Sequence, residues 1–238
     1  GSGKTTTAYA CLKHVHKKEK NIITIEDPVE YQFMGVNQIQ VNSKIGLTFS
    51  NSLRSILRQD PDIILVGEIR DKETAEIAIN ASLTGHLVIS TIHTNSSVST
   101  IARLQDMGIE TYLISSAVSA IISQRLVRKI CPYCKKEYTP PETLIAELKL
   151  PPFAKFYRGA GCNKCHESGY SDRVGVYELL VITDTIRELL LAKARKREIE
   201  EAAIKEGFVP FLTAGIKLVL DGITTIEELV AATFEEVI

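Results

Sequence analysis

The stretch Gly-Ser-Gly-Lys-Thr at residues 1–5 matches the last five positions of the phosphate-binding pattern G-x-x-x-x-G-K-[ST]. Glycines let main-chain N–H groups close around a phosphate, because no Cβ stands in the way. Lys4 would reach the outer phosphates, and the Thr5 hydroxyl would bind Mg²⁺. The helix that starts near Thr5 would point its positive end at the same phosphates. A flexible Gly-Ser terminus before an ordinary helix would give the same five letters, so the assignment depends on the residues that follow.

The first glycine of the pattern and the strand that normally precedes it are absent from the sequence, so we expect a nucleotide-hydrolysing domain cut at its amino end. The candidate nucleotide-binding residues here are Gly1, Ser2, Gly3, Lys4, Thr5 and Thr6.

The composition is that of a soluble globular chain of 238 residues, 45% hydrophobic and 24% charged, long enough for one large domain or two smaller ones. The net charge of −1 provides no overall basic field for nucleic acid. The longest apolar stretch, residues 112–122, is interrupted by serines and is too short to span a bilayer.

Apolar runs alternate with helical patterns in the first half of the chain. Strands are predicted at residues 21–25, 62–66 and 86–92, and helices at 5–18, 49–59 and 72–83. This alternation is typical of βαβ units, which form a parallel sheet covered by helices on both faces. Beyond about residue 126 two cysteine pairs bracket a proline-rich stretch, and short helices are predicted at 184–191, 197–206, 211–220 and 225–233.

We therefore expect an α/β fold with three parts. Residues 1–125 would form a phosphate-loop core, residues 126–182 a zinc-binding insert, and residues 183–238 a small helical carboxy-terminal region.

Three polar clusters follow the predicted strands: residues 26–30 (Glu-Asp-Pro-Val-Glu), 67–71 (Gly-Glu-Ile-Arg-Asp) and 93–95 (His-Thr-Asn). Ligands of open parallel sheets sit at the carboxyl ends of the strands, so these clusters predict a site. Glu68 follows its strand as the acid of a Walker B motif would, although Gly67 takes the place usually held by an aspartate. Glu68 would align or deprotonate the attacking water, the alternative being a surface acid that caps a strand.

Four cysteines form two C-x-x-C pairs, Cys131 with Cys134 and Cys162 with Cys165, separated by 27 residues. This spacing predicts a closed tetrahedral Zn²⁺ site of structural type, the alternative being four unrelated core thiols. The odd total argues for a reducing compartment, and Cys11 on an apolar helix face is read as a buried, inert thiol.

Several of these strings resemble, in order, the motifs of the type II secretion and type IV pilus assembly motor ATPases. Residues 24–30 resemble the aspartate box, residues 57–71 the Walker B region, and residues 84–95 the histidine box, while the cysteine pairs resemble the tetracysteine motif. The similarity runs from residue 1 to at least Leu180.

The resemblance implies a RecA-like core and an ATPase that uses ATP, Mg²⁺ and Zn²⁺. It assigns Glu30 and Glu68 as catalytic acids and Asp27 as a support for metal or water.

His93 is either a strand-end histidine or a γ-phosphate sensor, and its place in the histidine box favours the sensor. Arg70 is a candidate for phosphate or subunit contacts, as are Arg54 and Arg58, whose roles stay open. His86 starts its strand at the opposite end, which favours a structural role.

The same resemblance implies a cytoplasmic homohexamer that is peripheral on the inner membrane. Its partners would be an inner-membrane platform protein and a cytoplasmic docking protein of a secretion or pilus machine, without direct nucleic acid. We expect the 238-residue chain itself to hydrolyse ATP negligibly, because part of its phosphate loop is missing.

Two other readings compete. A RecA-like motor for DNA translocation or uptake would need a basic groove or stacking aromatics, and the chain has 6% aromatic residues and no tryptophan. A non-enzymatic zinc-ribbon adaptor would explain the cysteines, but it would not explain the polar clusters that follow the three predicted strands.

Overall fold

The protein is described by a computed structural model, which covers residues 2–151 and 153–234. Its central sheet contains four parallel strands in the order β2-β1-β3-β4. The strands are β1 (Ile22–Glu26), β2 (Asn37–Gln40), β3 (Ile63–Val66) and β4 (Leu87–Ser90). The predicted parallel sheet is therefore confirmed, and all four carboxyl ends lie along one edge, called the carboxyl edge below.

The two inner strands are the apolar runs that the sequence singled out. Every residue of β1 and β3 is buried, as expected for strands covered on both faces. The outer strand β2 (Asn-Gln-Ile-Gln) was missed, because it has no apolar run and is partly exposed at the sheet edge.

Helices cover both faces of the sheet. Helix α1 (Lys4–Val15) packs on one face, where Leu12 meets Ile22 and Ile63. The opposite face carries the alternate strand residues, such as Ile25 and Val66, and packs against α2 and α3. The remaining helices of this region are α2 (Phe49–Ile56), followed by a 3₁₀ turn (Leu57–Gln59), then α3 (Lys72–Leu83), α4 (Ser97–Asp106) and α5 (Thr111–Ala117).

Side-chain caps explain several helix starts. Thr48, Asp71 and Ser96 each accept a hydrogen bond from the N–H three residues ahead, at 3.3, 2.8 and 3.1 Å. Asp71 therefore begins α3. The Ser/Thr-rich start of α4 has low intrinsic helix propensity, which is why the sequence did not predict that helix.

The rest of the chain contains β5 (Ala120–Ile130), β6 (Lys135–Tyr138), α6 (Glu142–Glu147), β7 (Phe156–Gly159), β8 (Tyr170–Val181), α7 (Asp184–Leu191), α8 (Lys196–Lys205), α9 (Phe211–Leu220) and α10 (Ile226–Phe234). Strands β6 and β7 form an antiparallel hairpin, and β5 pairs with β8.

The chain divides into two compact units. The sheet unit comprises Lys4–Ile121 and Leu180–Glu206, and the cysteine unit contains Ile122–Leu179 together with the chain from Gly207. Helices α7 and α8 thus belong to the sheet unit, and α9 and α10 to the cysteine unit, so a single helical carboxy-terminal region is not confirmed. The domain boundaries at residues 125 and 182 stay a prediction.

Candidate functional site

Glu68 lies at the centre of a charged cluster on the carboxyl edge. It follows β3 by two residues, and its side chain is 14% exposed. The Arg70 guanidinium donates to Glu68 Oε1 and also lies 3.7 Å from Asp27 Oδ2, beyond the end of β1. His93 Nε2, beyond β4, lies 3.4 Å from Glu68 Oε2. The ends of three strands thus bring together side chains that are far apart in sequence.

The neighbouring carboxylates favour the positive charge of Arg70. The hydrogen bond to Glu68 raises the pKa of Arg70, and the carboxylates of Glu68 and Asp27 add to this effect. Arg70 therefore carries a positive charge at neutral pH. The side chains of Arg70 and His93 are 59% and 72% exposed, so they remain open to a ligand.

Gly67, where the predicted Walker B motif would usually have an aspartate, lies close to the main chain of β1. A Cβ at this position would lie 3.0 Å from the Ile25 carbonyl oxygen and 3.3 Å from Glu26 Cα. Both atoms belong to the main chain of the neighbouring strand β1, so a Cβ here would force one of the two strands to shift by a few tenths of an ångström. The Gly67 N–H donates to that same Ile25 carbonyl at 2.7 Å. The close approach of the two strands therefore favours glycine here.

Helix α1 starts at Lys4, and its amino end points towards the carboxyl edge. Leu12 packs near the strand beginnings, whereas Tyr9, nearer the helix start, bonds to Glu26 at the end of β1. The helix therefore runs antiparallel to the strands, with Lys4 and Thr5 beyond Tyr9 in the same direction. Its first turn holds no acidic residue, which leaves the positive end available to an anion.

The predicted phosphate loop is described in part. Gly3 has φ 82°, a conformation that favours glycine, as expected in such a loop. Ser2 and Gly3 are grouped with the cysteine unit, so Lys4, Thr5 and Thr6 are the loop residues of the sheet unit. Gly1 lies outside the described residues.

Asp27 and Glu30 lie on the segment that leaves β1 through the cis peptide bond between Asp27 and Pro28. Both acids are exposed. The main-chain N–H of Glu30 donates to the Tyr9 hydroxyl, which ties this segment to α1.

A buried polar network beside the site was missed by sequence reasoning. Glu26 is 2% exposed and accepts hydrogen bonds from Tyr9, from Thr24 Oγ1 at 2.6 Å and from Gln38 Nε2 at 3.1 Å. Burial raises the pKa of the Tyr9 hydroxyl, and the bond to Glu26 raises it further. The sequence does contain one indication of this network: Glu26 directly continues the apolar run of β1. An acid in such a buried position needs hydrogen-bond partners.

The remaining candidate residues lie elsewhere. His86 Nδ1 lies 2.9 Å from the Ala81 carbonyl oxygen at the amino end of β4, opposite the carboxyl edge. Arg54 pairs with Glu73 at 2.6 Å on exposed helix surfaces. Arg58 lies in the 3₁₀ turn after α2.

The four predicted metal ligands meet in the cysteine unit. The sulfur atoms of Cys131, Cys134, Cys162 and Cys165 all lie within 4.8 Å of one another. The Sγ atoms of Cys131 and Cys162 are 3.9 Å apart, as are those of Cys134 and Cys165, and those of Cys162 and Cys165 are 3.7 Å apart. A tetrahedron with Zn–S bonds of ~2.3 Å has edges of ~3.8 Å, so the donor set fits Zn²⁺.

Local main-chain groups prepare the Cys165 thiol for a cation, whereas burial raises the pKa of the Cys134 thiol to about 11. Cys165 Sγ accepts from the N–H groups of Cys162 and Gly169, each at 3.3 Å. Burial raises the pKa of the Cys165 thiol, but these N–H groups and the neighbouring thiols together lower it to about 6. The end of β7 packs closely against the turn before β8, since a Cβ on Gly159 would lie 1.9 Å from the Gly169 carbonyl oxygen.

Comparison with known proteins agrees with this geometry. The family described as "Type II/IV secretion system protein" matches residues 1–231. The chain is 49% identical over 238 residues to type II secretion system protein E of Pseudomonas aeruginosa, covering 99% of the chain and 47% of that protein. It is also 49% identical over 240 residues to the type IV pilus assembly ATPase PilB of Thermus thermophilus, covering 99% of the chain and 27% of that protein.

Solved structures show the same fold. The pilus retraction motor PilT, solved with bound ADP, superposes with a TM-score of 0.72 at 32% identity, covering 99% of this chain and 59% of that one. The ATPase DotB of Legionella pneumophila gives a TM-score of 0.68 at 22% identity, covering 96% and 56%, a likeness of fold alone.

The chain is thus an α/β protein with a polar site at the carboxyl edge of a parallel sheet. It belongs to the type II/IV secretion system protein family. It spans 47% of its type II secretion relative and 27% of the Thermus pilus ATPase. Within the described ranges, no helix is both long and apolar enough to cross a membrane.

Proposed function

We propose that this chain is the ATP-hydrolysing region of a motor that powers type II secretion or type IV pilus assembly. The observation that carries the proposal is Glu68, held between Arg70 and His93 at the edge towards which α1 points its amino end. The names of the relatives support the same activity, since they include type II secretion and type IV pilus assembly ATPases.

In this proposal Lys4 and the positive end of α1 bind the phosphates of ATP, and Thr5 binds the Mg²⁺ that accompanies them. Hydrolysis requires a water oxygen to attack the γ-phosphorus while the bond to the β-phosphate oxygen breaks. Glu68 orients that water and accepts its proton, and Glu30 is the second catalytic acid. Most of the acceleration then comes from positioning and charge stabilisation.

The other charged groups have supporting roles. Arg70 contacts phosphate oxygens, and Asp27, which lies 3.7 Å from it, supports the metal or the water. His93 contacts the γ-phosphate and reports its presence to Glu68, which its ring approaches to 3.4 Å. Loss of that phosphate then changes the contacts of His93.

Zinc has a structural role in the proposal. Four thiolates complete its coordination, which leaves no open position for a substrate or a water. Cys131, Cys134, Cys162 and Cys165 would hold the ion and link the β6–β7 hairpin to the turn before β8.

The whole protein would act as a homohexamer with a RecA-like core on the cytoplasmic side of the inner membrane. Its partners would be a platform protein in that membrane and a cytoplasmic docking protein. The names of the relatives favour this reading over a DNA motor or a zinc-ribbon adaptor.

Phosphate release by the full-length protein tests the proposal. Glu68→Gln should keep nucleotide binding and lower turnover by about 10²-fold or more, because it removes the proton acceptor. Glu76→Gln is the matched control, since Glu76 is an exposed acid on α3, and its turnover should be unchanged. Near-normal turnover of Glu68→Gln would remove Glu68 from the mechanism, and strong stimulation by added duplex DNA would favour the DNA motor.

A further inference from the structure

Glu26 is a buried carboxylate that the proposed mechanism does not use. Only 2% of its surface is exposed, and it lies at the end of β1, directly before Asp27. Its partners are three neutral donors, Tyr9, Thr24 and Gln38. Burying a charge this deeply is costly unless its partners are well placed, so the network imposes a defined arrangement on the residues around it.

Tyr9 connects that carboxylate to Glu30. Its hydroxyl donates to Glu26 Oε2 and accepts from the main-chain N–H of Glu30. The ring is 1% exposed and makes edge contacts with Tyr31 and Phe33, at centroid distances of 4.6 and 6.4 Å. Tyr9 therefore has little freedom to move.

Gln38 holds the same segment from the side of β2. Its amide donates to Glu26 Oε1 at 3.1 Å and to the Tyr31 carbonyl oxygen at 3.2 Å, and its own carbonyl accepts from the Phe33 N–H at 2.7 Å. The chain on the far side of Glu30 is thus tied to the same buried carboxylate.

We propose that Glu26 and Tyr9 are positioning residues that hold Glu30 in place for ATP hydrolysis, an inference that rests on the proposed function. The Tyr9 hydroxyl donates its one proton to Glu26 Oε2, which fixes the direction of that hydroxyl. The lone pairs of that oxygen then accept from the Glu30 N–H, and Gln38 Nε2 also approaches the oxygen as a donor, at 3.5 Å. Glu26 in this way determines the orientation of the hydroxyl that anchors Glu30.

The same hydroxyl couples Glu30 to the phosphate-binding helix. Tyr9 lies on α1, which begins at Lys4, so the acid and the phosphate-binding residues share one anchor. A displacement of about 1 Å at a catalytic group can lower a rate by on the order of 10²-fold. Loosening the anchor should therefore lower turnover, while Lys4 and Thr5 continue to bind nucleotide.

Tyr9→Phe in the full-length protein tests this role, because it keeps the buried ring and removes only the hydroxyl. We expect kcat to fall about tenfold or more, with the affinity for a non-hydrolysable ATP analogue unchanged within about threefold. Tyr112→Phe is the control, since Tyr112 is an exposed tyrosine on α5, and it should behave as the parent does. Glu26→Gln keeps the shape of the side chain and provides a second test if Tyr9→Phe folds poorly.

A double-mutant cycle separates positioning from general loss of stability. If Tyr9 acts through Glu30, Tyr9→Phe should have little further effect on kcat in a Glu30→Gln background. Losses that multiply would overturn the inference. The inference would also be overturned if Tyr9→Phe kept the parental kcat while Glu30→Gln lost turnover. That pair of results would leave the proposed function intact. A full-length parent that does not hydrolyse ATP would overturn both.

Discussion

The two candidate sites of this chain differ in how complete they are. The cysteine centre collects four like ligands whose sulfur atoms lie within 4.8 Å of one another, and its own main chain donates to the sulfurs. The carboxyl edge collects unlike charged groups, of which Arg70 and His93 are more than half exposed. A structural ion needs a closed shell, whereas a site that binds and releases a substrate needs exposed groups. The cysteine centre should therefore determine stability and the carboxyl edge should determine activity.

Removing two metal ligands should have the largest effect. With Cys131 and Cys134 both changed to serine, bound zinc should fall from about one equivalent to none. The cysteine unit should unfold, because a structural zinc contributes roughly 10 kcal/mol or more to folding. Metal analysis and thermal unfolding measure the two effects. Cys11→Ser is the control and should retain its zinc, and zinc that remained in the double variant would contradict the assignment.

The 238-residue chain alone should hydrolyse ATP negligibly, at less than about a hundredth of the rate of the full-length protein. Its sequence holds five positions of the phosphate loop, so some of the main-chain donors that would surround the phosphates are missing. Its zinc content should nevertheless be complete. A phosphate-release assay decides the point, and turnover within a few-fold of the full-length enzyme would show that the five positions suffice.

Gly67→Ala should destabilise the sheet unit by about 1–3 kcal/mol, as overpacking of a well-packed interior does. The new methyl group would lie 3.0 Å from the Ile25 carbonyl oxygen, and either strand must shift. Denaturant unfolding measures the change. Unaltered stability would show that the approach of β1 and β3 is looser than these distances indicate.

The smallest expected effect comes from comparing two arginines, Arg70 at the carboxyl edge and Arg54 on α2. Arg70→Ala should lower turnover of the full-length protein about tenfold, because a cation is lost where phosphate charge is stabilised. Its stability should change by about 1 kcal/mol at most, since the Arg70 side chain is 59% exposed and solvent screens its ion pairs. Arg54→Ala also breaks an exposed ion pair, with Glu73, and should leave both stability and turnover nearly unchanged. Equal effects on turnover would show that Arg70 has no special role.

Local pattern was sufficient to predict the inner sheet and the clustering of the cysteines. The apolar runs predicted β1 and β3 because strands covered on both faces need apolar side chains throughout, and periodicity predicted α3 (Lys72–Leu83) to the residue. The paired spacing of the cysteines anticipated their cluster, because each C-x-x-C turn brings two sulfurs together. The prediction that polar strand ends converge was also right for Asp27, Glu68 and His93.

Other features arise from contacts between distant parts of the chain, which local pattern does not encode. Strand β2 is polar and forms because its main chain pairs with β1. Gly67 lies against the main chain of the neighbouring strand, and the carboxy-terminal helices divide between two units according to what they pack against. Tyr9 and Glu26 are 17 residues apart and meet because α1 folds back over the sheet. Propensity and periodicity report the preferences of neighbouring residues, whereas these arrangements depend on which distant surfaces become buried together.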